Sequence, residues 1–286
     1  MTTLASTRGP ELDPRITVLR RPDGTVQLGW HSGSAVRLCP AGPVESVPAL
    51  LRLLDGTHST AQVLRDAAEL GFDAATTTAV LEQLAAAGLL VTEEPRSRLR
   101  TVRVHGRGPL SDALLEGLRR IGLRPGHSHD RRAETTRARQ CAERPDLVLL
   151  ADTLVPDPSL VTALMRHRVP HLQVRIRDGR GIVGPLVLPG ETSCLRCADL
   201  FRTGRDPQWP HLAAQLLGRV GTASPAGIAM TAALTLKEIE TIRHGSADHP
   251  PATLDTTLEL DLDALHLDRR PWQPHPNCGC GADAGV

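Results

Sequence analysis

The stretch Thr101-Val-Arg-Val-His105, Gly106-Arg-Gly108, Pro109-Leu110 reads as a strand, a glycine turn and the start of a helix that continues through Leu114, Leu115 and Leu118. Val102 and Val104 alternate with polar neighbours before the apolar period lengthens to that of a helix. A strand, a glycine turn and a helix in this order open many nucleotide-binding parallel sheets. The alternation then continues. Asp146-Leu-Val-Leu-Leu150 is apolar enough to be buried on both faces, Ser159 to His167 has helical spacing, and Pro170 to Ile176 is again strand-like. The expectation for residues 100–286 is therefore a doubly wound α/β domain. Downstream, the chain turns at Asp178-Gly-Arg-Gly181 and continues as an extended Ile182 to Leu188. Helical stretches follow at Cys194 to Thr203, Ala213 to Val220 and Pro225 to Arg243, then a strand at Thr253 to Leu262. Ser128 to Glu143, polar and arginine-rich, reads as a solvated helix or a loop.

The first third has a different grammar. Residues 1–14 read as a loose terminus without periodicity. Ile16 to Arg20 and Thr25 to Trp30 flank the turn sequence Arg21-Pro-Asp-Gly24, and Ala35 to Leu38 adds a third short strand. Val47, Leu50, Leu51 and Leu54 then mark one helix, Ala61 to Leu70 a second capped by Ser59 or Thr60, and Ala74 to Ala87 a third. Leu89 to Val91 reads as a closing strand. Residues 15–95 thus describe a small winged-helix-like unit, with Pro95-Arg-Ser-Arg98 as linker.

Composition narrows the chemistry. The chain has 286 residues, 40% of them hydrophobic and 23% charged, which is ordinary globular usage rather than that of a disordered chain. A net charge near +1 argues against a polyanion-coating protein. With 2% aromatics there are few platforms on which single-stranded nucleic acid could stack. Lys237 is the only lysine, so a Schiff-base or phosphate-gripping lysine would have to be that residue, which sits in a solvated helical pattern. The start lacks the apolar core of a signal peptide and no run approaches a membrane span, so a cytoplasmic protein is expected.

Four cysteines carry the strongest signal. Cys194-Leu-Arg-Cys197 and Cys278-Gly-Cys280 are two chelating turns of the kind that a tetrathiolate zinc site brings together. Four ligands leave no open position, so that zinc would be structural. A redox CxxC and two unrelated pairs are the competing readings. Cys39 and Cys141 stand alone and read as buried packing thiols. The Gly106 and Gly108 turn is a shortened nucleotide fingerprint: the third glycine is missing and Pro109 removes a backbone N–H from the phosphate cradle. Asp152 and Asp157, after the strand ending at Leu150, lie where α/β sheets place ligand contacts, or else cap the helix at Ser159. Gly106, Gly108 and Asp152 are thus candidates for a degenerate nucleotide site. His127 and His129 read as solvated loop residues. None of the 12 histidines shows a metal-binding spacing.

The run Gly184-Pro-Leu-Val-Leu-Pro-Gly-Glu-Thr-Ser-Cys-Leu-Arg-Cys197 with the distal Cys278-Gly-Cys280 resembles the ThiF-like, ubiquitin-activating-enzyme-like superfamily. More narrowly, the chain resembles the cyclodehydratase-associated ThiF-like proteins of azole-forming peptide biosynthesis, which carry an N-terminal PqqD-like leader-recognition winged helix. Leu53-Leu-Asp-Gly-Thr57 and Leu84-Ala-Ala-Ala-Gly-Leu-Leu90 carry the PqqD-like part. Adenylating members have a fuller glycine motif, an acidic ribose contact, an Asn-Leu-x-Arg-Gln segment and a lysine near the phosphates. This chain departs from each, so ATP is not expected. The resemblance implies a scaffold, found in a family that makes bacteriocin-like peptides, that binds a precursor (leader) peptide and presents it to a YcaO-type enzyme.

On that implication, the exposed strand Val36, Arg37 and Leu38 accepts the leader by strand addition. Thr77, Val80 and Leu84 of the third helix line the groove, and Arg37 meets acidic leader residues. The apolar helix Pro225 to Arg243 is expected to lie buried or to pair with a partner helix, and on the resemblance a homodimer is expected. A DNA-binding winged helix would want a basic third helix, and Glu82 and Gln83 stand there instead. The rival readings are an ATP-dependent adenylyltransferase and a zinc-containing DNA-binding regulator.

Overall fold

The chain divides into two compact units, Met1–Glu93 and Glu94–Val286. The computed structural model describes residues 9–31, 33, 35–39, 41–91, 99–129, 144–245 and 250–282.

In the first unit, β1 (Val18–Arg20), β2 (Val26–Leu28) and β3 (Val36–Leu38) form an antiparallel sheet in the order β1-β2-β3, which leaves β3 on an open edge among the described residues. The first turn forms because Gly24 takes φ 83° and Asp23 accepts hydrogen bonds from the Thr25 N–H and hydroxyl. Then come α1 (Val47–Arg52), α2 (Thr60–Glu69) and α3 (Ala74–Ala86). Ser59 and Gln62 make a reciprocal capping box on α2, and Asp73 caps α3 through the Thr76 N–H. Their inner faces bury Leu28, Leu38, Leu50, Val63, Phe72, Val80 and Leu84 in one core.

Two expectations change here. Gly9 to Asp13 are already paired, with bridges from Glu11 to Asp55 and from Leu12 to Leu90, so the chain is tied down before residue 15. Leu90 makes that isolated bridge rather than a closing strand.

The second unit is built on a seven-stranded sheet in the order β10-β9-β8-β7-β6-β4-β5. Its parallel half joins β4 (Val102–His105), β5 (Gly126–Ser128), β6 (Leu147–Ala151) and the start of β7 (His171–Arg177). Its other half is an antiparallel meander of β7, β8 (Arg180–Val187), β9 (Thr256–Asp261) and β10 (His266–Pro271). The sheet is therefore mixed. The hairpin at Asp178-Gly179 returns β8 beside β7 within two residues, which is too short for a parallel crossover. Both edge strands, β5 and β10, are short and polar, and β10 is exposed along its whole length, so neither leaves an apolar period to read.

Helices cover both faces. Leu147 and Leu149 share a core with α4 (Pro109–Arg120) and α8 (Pro225–His244), whereas Val148 and Leu150 pack against α5 (Pro158–Arg166) and α6 (Leu195–Arg205). The α7 helix (Trp209–Leu216) follows α6. The inner face of α8, with Ile228, Ala232 and Ile239, is spent on α4 and β8 within the chain. Gly117 of α4 leaves the room that the Leu236 side chain of α8 occupies. The apolarity that suggested a partner helix is thus accounted for internally.

Candidate functional site

The carboxyl end of β8 runs into Leu188 to Ser193, whose turn is held by Thr192 Oγ1 accepting from the Leu188 N–H and by Asp255 accepting from the Ser193 N–H. These contacts deliver Cys194 to the N-terminus of α6, with Cys197 one turn on. Left-handed Gly279 folds the tail back beside them. The Sγ atoms of Cys194, Cys197, Cys278 and Cys280 all lie within 4.8 Å of one another. Individual separations are 3.8 Å for Cys194–Cys197, 3.5 Å for Cys194–Cys278 and 3.6 Å for Cys197–Cys280. A zinc tetrahedron with Zn–S near 2.3 Å needs sulfurs about 3.8 Å apart. All four are free thiols. Burial pushes Cys194 up to about 11 and raises Cys278 as well, while at Cys197 burial is outweighed by hydrogen bonds, first that of the His275 backbone, and the thiol is lowered. A divalent cation would reverse the cost of placing thiolates here. The cluster can hold a metal ion and is compatible with zinc.

At the glycine turn the first donors of α4 are met by a side chain. Asp152, at φ 68° just past β6, is buried and aims its carboxylate at the start of α4. It accepts from the Leu110 N–H at 2.9 Å, the Ser111 N–H at 3.0 Å and the Ser111 hydroxyl. These are the donors that would hold a phosphate at a helix N-terminus. A Cβ on Gly108 would sit 2.6 Å from Asp152 Oδ1, and one on Gly106 would strike the Ala151 carbonyl oxygen. The glycines admit the neighbouring loop. Asp157, by contrast, caps α5 through the Ser159 N–H at 2.8 Å. Gly106, Gly108 and Asp152 therefore do come together, but with the aspartate as a cap reaching across 42 residues. Spacing within the sequence gave no sign of that partnership.

Comparison with known proteins places this architecture. The sequence matches no protein-family model and no curated protein. Among solved structures, the heterocyclase TruD superposes with a TM-score of 0.64 at 16% identity, over 96% of this chain and 43% of that one. A heterocyclase in complex with substrate and cofactor superposes at 0.67 and 18% identity, over 97% and 40%. The chain has the ThiF-like fold. The microcin C7 biosynthetic enzyme MccB, in complex with N-formylated MccA, shares it at 0.60 and 11% identity, over 96% and 99%. The chain thus spans about two fifths of the heterocyclase chains and nearly all of MccB.

Other expected site residues fall as follows. Val36, Arg37 and Leu38 form the edge strand β3, with Arg37 exposed and Leu38 buried. Thr77, Val80 and Leu84 are 1%, 4% and 0% exposed and belong to the core, not to a groove wall. It is Gln83, on the exposed side of α3, that reaches β3, donating to the Arg37 carbonyl at 3.0 Å. His127 is not a loop residue: it lies in β5, and its Nε2 pairs with the Gly106 carbonyl oxygen at 2.9 Å. Cys39 is exposed, contrary to the packing expectation, and Cys141 lies outside the described residues. Lys237 is exposed beside Glu240 at 3.7 Å. Among the described residues no helix is long and apolar enough to cross a membrane.

Proposed function

We propose that the protein binds the leader of a ribosomal precursor peptide as an added strand on β3 and presents it to a separate YcaO-type modifying enzyme, without adenylating it. One observation carries this reading. The Gly29 N–H donates to the Thr17 carbonyl at 2.8 Å. Because hydrogen-bonded pairs alternate along an antiparallel ladder, Gln27 then points its backbone groups at β1, and its opposite number Arg37 points its N–H and carbonyl away from β2, at the open edge. Gln83 holding the Arg37 carbonyl agrees with this direction. A PqqD-like unit offers an extended peptide such an edge, and the exposed Arg37 side chain suits acidic leader residues.

Asp152 supports the non-adenylating part, since its carboxylate takes the helix donors and would repel phosphate. A zinc ion on Cys194, Cys197, Cys278 and Cys280 would staple the tail to α6 and leave no position for activating water. The homodimer that the resemblance implies is tested by sedimentation at micromolar concentration.

The experiment is fluorescence anisotropy with labelled candidate leader peptides on wild type and Arg37→Pro, which removes the outward N–H. Saturable binding that weakens about tenfold, or about 1.4 kcal/mol, with an unchanged melting curve is expected. Equal affinity in the variant would move the peptide off β3. Pyrophosphate exchange with Mg-ATP would restore the adenylyltransferase.

A further inference from the structure

On β7, Leu172, Val174 and Ile176 face α4 and α8, so Gln173, Arg175 and Arg177 face the other side of the sheet. There they line a cleft of about 630 Å³ at the carboxyl ends of β6 and β7, walled in part by α5, α6 and α7. Arg175 is 8% exposed and Gln173 3%. Arg175 Nη1 donates to the Leu154 carbonyl at 3.0 Å, but among the described residues its Nε has no hydrogen-bond partner, nor does Gln173 Nε2.

Neighbouring charges do not neutralise Arg175. Glu259 is paired with Arg177 at 3.0 Å, and Asp199 with Arg202 at 2.8 Å while also accepting from Trp209 Nε1 at 3.1 Å. Arg202 itself is stacked over Trp209 and Trp272, with its carbon 5.1 and 5.3 Å from the ring centroids. Burial first, and then the positive charges of Arg202 and Arg177, push the Arg175 guanidinium down to about 9. Five arginines line the cleft against the carboxylates of Asp178 and Asp199. A buried cation without a carboxylate gives a fold no stability that a Met of similar shape would not exceed. Its placement makes chemical sense when an anion arrives from outside.

We propose that this cleft binds a small organic oxyanion, its carboxylate or phosphate head on Arg175 and Gln173 and its apolar body against Leu154, Val161 and Trp209. Every one of these residues belongs to the second unit, so the proposal stands apart from peptide docking at β3. A guanidinium fork fits either head group, and apolar walls with two indoles exclude a bare inorganic ion as the best fit.

The test is calorimetric titration of the full chain with benzoate and, separately, phenyl phosphate. Saturable binding of at least one is expected, the tighter one naming the head group, with an unfolding midpoint that rises in its presence. In Arg175→Met the affinity should fall at least about tenfold and the midpoint should no longer respond. If that variant does not fold, Gln173→Leu replaces it, with a several-fold loss expected. Silence toward both compounds, or unchanged affinity in the folded variant, overturns the proposal.

Discussion

Asp152 holds the first turn of α4 from the end of the neighbouring strand β6, its carboxylate 3.0 Å from the Ser111 backbone nitrogen and also bonded to the Ser111 hydroxyl. The same donors in a nucleotide-binding relative of this topology would face a phosphate. Here they are already taken by a side chain of the same sign of charge.

Replacing Asp152 by Ala should therefore lower stability without touching a nucleotide step. Losing a charged cap on buried N–H groups costs about 2 kcal/mol. Urea denaturation measures it, and an unchanged midpoint would mean the cap is dispensable.

The two glycines of the turn should differ in degree. Gly106 has φ 152°, and its added Cβ would meet the backbone oxygen of Ala151, which cannot swing aside. Gly108 would press on the Asp152 carboxylate, a side chain that can shift. Gly106→Ala is expected to destabilise by about 3 kcal/mol and Gly108→Ala by about 1–2 kcal/mol. The reverse order in thermal unfolding would contradict the close-approach account.

His171 sets a pH dependence. Its Nδ1 faces the Val169 carbonyl oxygen at 2.9 Å, its Nε2 has no partner among the described residues, and burial pushes its pKa down from 6.5 to about 4. An unfolded chain takes up a proton as pH falls below 6.5, whereas the folded one resists until about 4. Stability from this residue is thus complete above 6.5 and declines as pH falls toward 4, by up to about 3 kcal/mol. Denaturation curves between pH 6.5 and 5 should show a smaller slope in His171→Gln.

Metal analysis should return one zinc per chain if the four thiolates share an ion. Cys280→Ser should then loosen the tail, read as faster proteolysis after Trp272 and a lower melting temperature. Metal-free protein whose stability ignores chelators would leave the cluster as packed thiols.

Much of this was legible in the order of residues. The change of period at Val102 to Leu118, the capping Ser59 and the two cysteine pairs are local patterns, and local patterns record which face of a strand or helix meets apolar neighbours. Other features left no such trace. β10 carries no buried position, so its pairing with β9 shows no alternation. Thr77, Val80 and Leu84 share a helix face with the period of a groove, but the same period marks a core, and only the packing of α3 on Leu38 and Phe72 tells the two apart.

What the sequence by itself determined was the type of most elements, the division into a small α+β unit and an α/β unit, and the presence of four metal-competent thiols. Tertiary structure alone decided that Asp152 occupies the helix start, that Arg37 turns its backbone outward, and that Arg175 lies buried with no ion pair among the described residues. Each of these depends on a neighbour brought near by sheet order or register, and hydrogen bonds and charges act over distance in space, which the spacing of residues along the chain does not record.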